Sequence, residues 1–389
     1  MSESSSPRLH VVDALRGFAI VSIMLLHNIE HFDFYFTPAG QPNWLIGLNQ
    51  GIWDSLFFLF GGKSYAIFAL LFGLTFFIQS DNQAKRGKDF RGRFAWRLLL
   101  LLAFGLINSA FYQGDILTIY AILGFALIPV AKLSNKAVYW IALVLMLQPV
   151  EWINFFVGLQ HPEVKMTNPA SWAYFAKVAD YIPGDSIVKT WIGNLTNGKI
   201  AVLLWAWEAG RIFQTISIFM LGMLAGRKKL FVSSDVTNRF WRKTLLIATI
   251  SFIPLFIIKN GLPNWTASEA VRRPLITIVS TWSNLAFMLV LVSMFFIAYE
   301  KFSGRILNIF TSFGKMSMSN YIIQSILGSF IYYGFGLGLY KYTGATLCLL
   351  IGISLAIVQG IFSNWWMKNH RQGPLETIWH KLTWINSNY

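Results

Sequence analysis

The sequence has 389 residues, of which 55% are hydrophobic and only 13% are charged. Ordinary soluble domains contain roughly 45–50% apolar and about 25% charged residues, so this composition excludes a water-soluble globular fold. The net charge of +15 does not indicate nucleic-acid binding, because the basic residues lie in short stretches between long apolar runs. The single cysteine, Cys348, cannot form an internal disulfide and gives no information on the redox compartment.

Apolar runs long enough to cross a bilayer recur along the chain. A transmembrane helix needs about 20 mostly apolar residues. The first run carries Asp13 and Arg16 with no small-residue cleavage site behind it, which indicates a retained span and not a signal peptide. The runs predict spans at 12–29, 53–79, 96–112, 115–131, 137–157, 200–226, 244–259, 276–299, 316–334 and 343–366. We therefore expect an all-α polytopic integral membrane protein of about ten transmembrane helices, surrounded by membrane lipids.

The basic residues predict the orientation. If the N-terminus is inside, 21 of the 32 Lys and Arg residues fall in cytoplasmic segments and 8 in outer segments, which predicts an N-in/C-in topology. The remaining three, Arg16, Lys63 and Arg211, lie within spans. An ion in hydrocarbon costs at least about 2.5–3.5 kcal/mol, so each of the three needs a partner or a polar cavity. These three residues are therefore the first candidates for function.

One long outer segment separates two transmembrane halves. Residues 1–157 form an N-terminal half of five spans, and residues 200–389 form a C-terminal half of five spans that ends in a cytoplasmic amphipathic tail. Residues 158–199 mix aromatic side chains with Pro and Asp. This extracytoplasmic amphipathic segment is expected to form one or two helices on the outer face. A lid over an outward cavity is the alternative interpretation.

The first span places an arginine and a histidine on one face. Arg16 and His27 are eleven residues apart, which is three helical turns within about 20° and a rise of about 16 Å. Such a face suits a substrate whose phosphate part is held by Arg16 while His27 acts as a base near the outer end. The alternative is structural, with an Asp13–Arg16 pair at the inner interface and hydrogen bonds from His27 at the outer one. Candidate substrate contacts follow the histidine directly: Asn28, Glu30 and His31.

Lys63 and Arg211 are candidates for binding the charged groups of a donor cofactor. Lys63 follows two glycines, about ten residues from the outer end of the second span, where a lysine is too deep to reach the interface easily. The glycines allow a ligand to approach closely, and an ion pair between Lys63 and Glu208 is the structural alternative. Glu208 is a candidate substrate contact, but it also stands three residues before Arg211, so the two side chains can pair with each other.

Two further polar features lie near the level of His27. Asp115, in the turn after the third span, is a second candidate catalytic residue that would orient the histidine, or it caps the fourth helix. A polar stripe in the ninth span includes Gln324, a candidate substrate contact, and this stripe is typical of either helix packing or a cavity wall. His27 and His31 are spaced i and i+4, but two histidines without further ligands do not make a zinc site, and we assign no metal.

Several motifs resemble a known family. They are VDALRGFAI at 12–20, FALLFG at 68–73, GDIL at 114–117 with Tyr120 behind it, SNY at 319–321 with Gln324 and Ser325, and RQGPLE at 371–376. These motifs span nearly the whole chain and resemble the YeiB-like bacterial membrane proteins, a family defined by a domain of unknown function. The resemblance implies a multi-pass protein of the bacterial cytoplasmic (inner) membrane.

Through its first helix, that family is similar to the transmembrane acyltransferase superfamily, which includes lysosomal heparan-glucosaminide acetyltransferase and bacterial sugar O-acyltransferases. The likeness implies acyl-CoA or acetyl-CoA as the donor, with Arg16 in the shared Asp-x-x-Arg-Gly motif. His27 stands where many YeiB-like proteins have Asn and where the O-acyltransferases have a functional histidine, which favours catalytic competence by analogy. Asn108 lies near the place where YeiB-like proteins often carry a histidine, so no role is carried over to it.

We therefore expect an acyltransferase that moves an acyl group from cytoplasmic acyl-CoA to an extracytoplasmic hydroxyl or amine of a glycan, a lipid or a small molecule. The alternative is a transporter or exporter of a small amphiphilic or anionic solute, which would use Lys63, Glu208 and Arg211. A non-catalytic membrane scaffold is a third interpretation. No nucleic-acid partner is expected, and homo-oligomer formation is left open.

Overall fold

The computed structural model of the protein describes residues 9–30, 36, 38–302 and 306–385. These residues form helices joined by turns, with no β-strand among them, which confirms the predicted all-α class. The helices are α1 (His10–Glu30), α2 (Asn43–Leu59), α3 (Lys63–Ala84), α4 (Arg91–Phe111), α5 (Leu117–Gly124), α6 (Leu127–Val130), α7 (Asn135–Met146), α8 (Pro149–Gln160), α9 (Ala170–Ala176), α10 (Ile187–Gly193), α11 (Lys199–Glu208), α12 (Arg211–Arg227), α13 (Asp235–Trp265), α14 (Glu269–Lys301), α15 (Ile309–Lys315), α16 (Ser317–Tyr332), α17 (Ala345–Asn369) and α18 (Pro374–Thr383).

Seven helical stretches of the described chain are long and apolar enough to cross a membrane. They are α1, α2 with α3, α4, α7 with α8, α13, α14 and α17, and the number rises to eight if α10–α11 and α12 are one bent span. Two of the ten predicted spans are short as helices: 115–131 contains α5 and α6, of 8 and 4 residues, and 316–334 contains α16, of 16 residues. Apolar composition continues through breaks in the backbone, so hydropathy alone overestimates continuous helix length.

Three of the helix breaks contain a residue with a left-handed backbone. These residues are Gly62 (φ 73°) before α3, Gln148 (φ 58°) before α8 and Gly210 (φ 65°) before α12. Glycine adopts this conformation without strain, and Pro149, directly after Gln148, is well placed to start a helix. The Gln148 amide donates to the Gly210 carbonyl at 2.8 Å and to the Thr281 hydroxyl at 3.2 Å. The breaks at Gln148 and Gly210 are thus linked, and the chain bends by 73° between α10–α11 and α12.

Helix α1 lies inside the helix bundle. Helices α3, α15, α16 and α17 pack against it, and most of its residues are buried, whereas most residues of the outward-facing α13 are exposed. The backbones of α1 and α15 meet at Gly17 and Gly314. A Cβ at these positions would lie 1.8 Å from the Phe310 carbonyl oxygen and 1.7 Å from the Asp13 carbonyl oxygen. Small residues allow such close packing, which fixes the position of α1 and of the polar side chains it carries.

The outer segment and the C-terminal tail are both attached to the bundle. In the outer segment, the Asn194 amide donates to the Ala110 carbonyl at the end of α4 (2.9 Å), and the short helices α9 and α10 lie on either side of a 3-10 turn. In the tail, Trp379 of α18 donates to the Arg97 carbonyl of α4 (3.2 Å), and the Arg97 guanidinium lies 4.0 Å from the Trp379 ring. The amphipathic tail is therefore packed against α4 and does not only rest on a membrane surface.

Candidate functional site

His27 is buried near the end of α1 between α3 and α16. Its side chain is 1% exposed. The Nε2 atom lies 3.0 Å from the Tyr65 hydroxyl of α3, and the Nδ1 atom lies 3.2 Å from the Gln324 amide nitrogen of α16. The Tyr112 ring packs on the imidazole with a centroid distance of 4.3 Å, and the Tyr321 ring meets it edge-on at 5.5 Å. Three aromatic rings and one amide therefore enclose a titratable side chain inside an apolar bundle.

A carboxylate completes this cluster. The Oε2 atom of Glu30 accepts a hydrogen bond from the Tyr112 hydroxyl at 2.8 Å and one from the Tyr65 hydroxyl at 3.3 Å. The Tyr120 hydroxyl donates to the Tyr65 carbonyl oxygen and so holds the first turn of α3. His27, Tyr65 and Glu30 thus form a continuous hydrogen-bonded chain, in which Tyr65 can pass a proton between the imidazole and the carboxylate.

The Gln324 amide selects the tautomer of His27. With the amide nitrogen toward Nδ1, the imidazole proton lies on Nε2 and is donated to Tyr65, and the Gln324 Oε1 atom remains buried without a hydrogen-bond partner. With the amide reversed, Oε1 accepts a proton from Nδ1, and the Nε2 lone pair faces Tyr65. The second arrangement is the one a general base requires. Gln324 is therefore a positioning residue for the histidine.

Arg16 lies toward the opposite end of α1 and faces the same neighbouring helix. Its guanidinium contacts the Asp13 carboxylate at 3.2 Å and the Thr75 hydroxyl of α3 at 3.1 Å. His27 meets α3 ten residues earlier, at Tyr65, which corresponds to about 15 Å along the helix. Both side chains of the predicted face thus contact α3, His27 in its first turn and Arg16 near its middle.

Asn28 has a packing role and His31 is not described. The Asn28 oxygen accepts from the Tyr332 hydroxyl at 2.7 Å, and its amide donates to the Met24 carbonyl at 2.8 Å. The first bond joins α1 to α16 and the second lies within α1, so Asn28 contributes to the packing of these two helices. The predicted substrate contact at His31 lies outside the described residues.

Asp115 contacts other partners than the histidine. Its carboxylate accepts from the Asn108 amide (2.9 Å) and from the Thr118 backbone N–H in the first turn of α5 (2.9 Å), and Lys199 lies 3.6 Å away. This is the capping alternative, with an added ion pair. Asp115 does not hydrogen-bond to His27, whose Nε2 atom faces Tyr65 and whose Nδ1 atom faces Gln324. The predicted role of Asp115 in orienting the histidine is therefore not supported by a contact.

Glu208 forms an ion pair with neither Lys63 nor Arg211, the two partners considered for it. The Glu208 carboxylate instead accepts from the hydroxyl (2.5 Å) and the backbone N–H (3.3 Å) of Ser171 in α9. The Lys63 Nζ atom donates to the Phe57 carbonyl at 3.3 Å, and Arg211 donates to the Gln214 side chain at 2.7 Å. Both Glu208 oxygens therefore hold Ser171 and the outer segment in place. Lys63 and Arg211 also lie at the starts of α3 and α12, far along α3 from the Arg16 contact, so one phosphate cannot bind all three cations.

Glu376, which sequence reasoning did not single out as a site residue, supports the cluster from the opposite end of α16. Its carboxylate accepts from the backbone N–H groups of Met318 (2.7 Å) and Ser319 (3.1 Å) and from the Ser319 hydroxyl. It thereby caps the first turn of α16, the helix that carries Gln324. Burial raises the pKa of Glu376, and the hydrogen bonds from Ser319 oppose this rise. The RQGPLE motif therefore has a structural role, because its last residue, Glu376, holds the first turn of α16 in place.

The tyrosines were also missed as site residues, because they lie in four different helices and turns and only the fold brings them together. Tyr120 and Tyr321 did stand within motifs used for the family resemblance. The Tyr321 ring contacts His27 directly, whereas Tyr120 acts through its hydrogen bond to the Tyr65 carbonyl, so both motifs contribute to the histidine environment.

Comparison with known proteins gives relatives over nearly the whole chain. Residues 225–386 match the family model described as "Protein of unknown function (DUF418)". The chain is 27% identical over 403 residues to the uncharacterized protein YxaH of Bacillus subtilis (strain 168), covering 98% of this chain and 96% of that protein. It is 24% identical over 387 residues to the uncharacterized protein YeiB of Escherichia coli (strain K12), covering 96% and 95%. The resemblance to YeiB-like proteins is therefore confirmed, and residues 225–386 carry the DUF418 family match.

Proposed function

We propose that the protein is an acyl-CoA-dependent acyltransferase of the bacterial inner membrane. In this proposal it has ten spans in an N-in/C-in arrangement and moves an acyl group to an extracytoplasmic hydroxyl or amine on a glycan, lipid or small molecule. The observation that carries the proposal is the buried chain of His27, Tyr65 and Glu30 at one end of α1, with Arg16 at the other end against the same helix.

The reaction assigns a role to each of these residues. Arg16 holds a phosphate of the donor, and His27 accepts the proton of the acceptor hydroxyl at Nε2 while Gln324 accepts a hydrogen bond from Nδ1. The acceptor oxygen attacks the thioester carbonyl carbon, the carbon–sulfur bond breaks, and the CoA sulfur takes the proton from the imidazolium. The products are the acyl ester and CoA with a free thiol, so atoms and charges balance.

Glu30 acts on the histidine through its charge in this scheme, and Tyr65 holds Glu30 in place. The acceptor hydroxyl replaces the Tyr65 hydroxyl at Nε2, and Tyr65 keeps its hydrogen bond to Glu30. A nearby carboxylate favours the imidazolium that forms during proton transfer, because the two charges attract in a medium of low dielectric constant. Loss of Glu30 is therefore expected to lower turnover without abolishing it.

The test measures acyl-CoA binding and acyl transfer separately. Wild type is expected to bind acetyl-CoA by calorimetry and to transfer labelled acetyl groups from acetyl-CoA to the lipid or glycan fraction of membrane vesicles. His27→Asn is expected to lower transfer by about 10²–10⁴-fold with binding retained. The matched control is His161→Asn, since His161 is an exposed histidine of the outer segment. Acetyl-CoA that does not bind to wild type, or transfer that survives His27→Asn, would overturn the proposal.

A second candidate function is transport of an anionic amphiphile. Discontinuous helices with cations at their starts are typical of solute sites in transporters, and α3 and α12 begin at Lys63 and Arg211 directly after left-handed glycines. This candidate predicts flux of a labelled anionic amphiphile in proteoliposomes without CoA. Flux that requires CoA, or no flux at all, would rule it out.

A further inference from the structure

Three cations lie close together near the helix breaks. The Arg211 guanidinium rests on Gly62, where a Cβ would lie 2.7 Å from an Arg211 terminal nitrogen, and Lys63 is the next residue. Lys259 of α13 stands one helical turn after Phe256, whose ring meets the Phe58 ring at 5.5 Å, and Phe58 lies beside Lys63. Lys63, Arg211 and Lys259 are called the cation cluster below.

The cation cluster has no carboxylate partner in the described part of the chain. Lys63 is 8% exposed, donates to one backbone carbonyl, and lies 5.9 Å and 5.7 Å from the Phe58 and Phe287 ring centroids. Arg211 donates to Gln214, but its Nε atom is buried without a hydrogen-bond partner. The neighbouring carboxylate, Glu208, is directed to Ser171 instead. Unpaired cations in an apolar environment are costly, so they indicate a missing anion.

The side chains, and not the backbone at the start of α3, supply the positive charge of the cluster. The N–H groups of Lys63 and Ser64 already donate to the Phe60 carbonyl, each at 3.0 Å. The three side chains therefore define the cluster by themselves. A phosphate group between them would be stabilised by their charges in an apolar environment.

The cluster borders an apolar surface that faces outward. Helix α13, which contributes Lys259, is mostly exposed, and Ile253 and Ile257 on it are 54% and 56% exposed. Its Phe252 and Phe256 pack with Phe58, which lies beside Lys63. A ligand that brings both a phosphate and an apolar chain could place the first at the cations and the second along α13.

We infer that Lys63, Arg211 and Lys259 form a binding site for a phosphate group, supplied by the head group of a membrane phospholipid. The inference does not rest on acyl transfer, because it concerns binding at residues other than the His27 cluster. The same phosphate chemistry is available from free inorganic phosphate. The experiment must therefore separate the lipid from the free anion.

The test uses the full-length protein purified in detergent, with thermal unfolding and native mass spectrometry as measurements. Phosphatidylglycerol is expected to raise the unfolding temperature and to remain bound, and zwitterionic phosphatidylcholine is expected to do so far less. A shift with inorganic phosphate alone would assign the site to a free anion, and no shift with either phosphatidylglycerol or phosphate would overturn the inference.

Variants separate a ligand site from a structural one. Lys63→Met is expected to lower phosphatidylglycerol affinity about tenfold, the loss of one charged contact. It is also expected to leave the lipid-free protein as stable as wild type or more stable, because it removes repulsion within the cation cluster. The matched control is Lys189→Met, an exposed lysine of the outer segment. An unchanged affinity for Lys63→Met, or a loss of lipid-free stability in it, would contradict the site.

Discussion

Substitution of Gly17 by alanine tests whether close backbone packing positions the candidate site. A Cβ at Gly17 would lie 1.8 Å from the Phe310 carbonyl oxygen, whereas ordinary contact begins at 3.4 Å, so α1 and α15 must separate by about 1.6 Å. The obstructing atom belongs to backbone and cannot rotate away. Overpacking of this kind costs about 1–3 kcal/mol and occasionally more. We expect Gly17→Ala to lower the free energy of unfolding by at least this amount.

The same displacement reaches the histidine. The His27 contacts with Tyr65 and Gln324 are 3.0 Å and 3.2 Å long. If α1 takes up most of the separation from α15, its shift of roughly 1 Å or more breaks at least one of these hydrogen bonds. Stability is measured by thermal unfolding in detergent, and acyl transfer in membrane vesicles that contain the same variant. Loss of stability with acyl transfer intact would indicate that α15 moves and α1 does not.

The control for this experiment is Gly51→Ala in α2. A Cβ at Gly51 meets nothing within 4 Å, and alanine in a helix interior is favoured over glycine by about 0.5–1 kcal/mol. The same chemical change is therefore expected to have opposite signs at the two sites. If Gly17→Ala is as stable as wild type or as Gly51→Ala, the argument from close backbone approach is refuted.

Two further predictions concern carboxylates that hold helices in place. Burial raises the pKa of Glu376, so the folded state favours the protonated form. The free energy of unfolding of wild type, relative to that of Glu376→Gln, is therefore expected to fall as the pH rises above the ordinary pKa of 4.5. A difference between the two proteins that stays constant across a pH series of unfolding experiments would contradict this. Glu208→Ala removes both hydrogen bonds to Ser171 and should release α9, which would raise hydrogen exchange in residues 170–176. Glu163→Ala, an exposed carboxylate of the same segment, serves as the control, and equal exchange in the two variants would exclude an anchoring role.

The family resemblance and the helical class could be read from the sequence because they depend on composition and on contiguous motifs. The spacing of Arg16 and His27 places both on one helix face, and the structure has both side chains against α3. Helical periodicity is a local property, so spacing along one helix is sufficient to determine it. The number of membrane-spanning helices was less accessible, since breaks such as those at Gly210 and between α5 and α6 interrupt runs that remain apolar throughout.

The partners of the charged residues were decided only by the tertiary structure. Glu208 stands three residues before Arg211, yet it bonds to Ser171. The i, i+3 spacing does not pair the two residues, because α11 ends at Glu208 and α12 begins at Arg211 after the bend at Gly210. Tyr65, Tyr112 and Gln324 are distant in sequence from His27 and meet it only when α1, α3 and α16 pack together. Composition and periodicity therefore determined that this chain is a bundle of apolar helices with polar faces. Helix breaks and close glycine contacts determined which polar groups meet, because they set the direction and separation of whole helices.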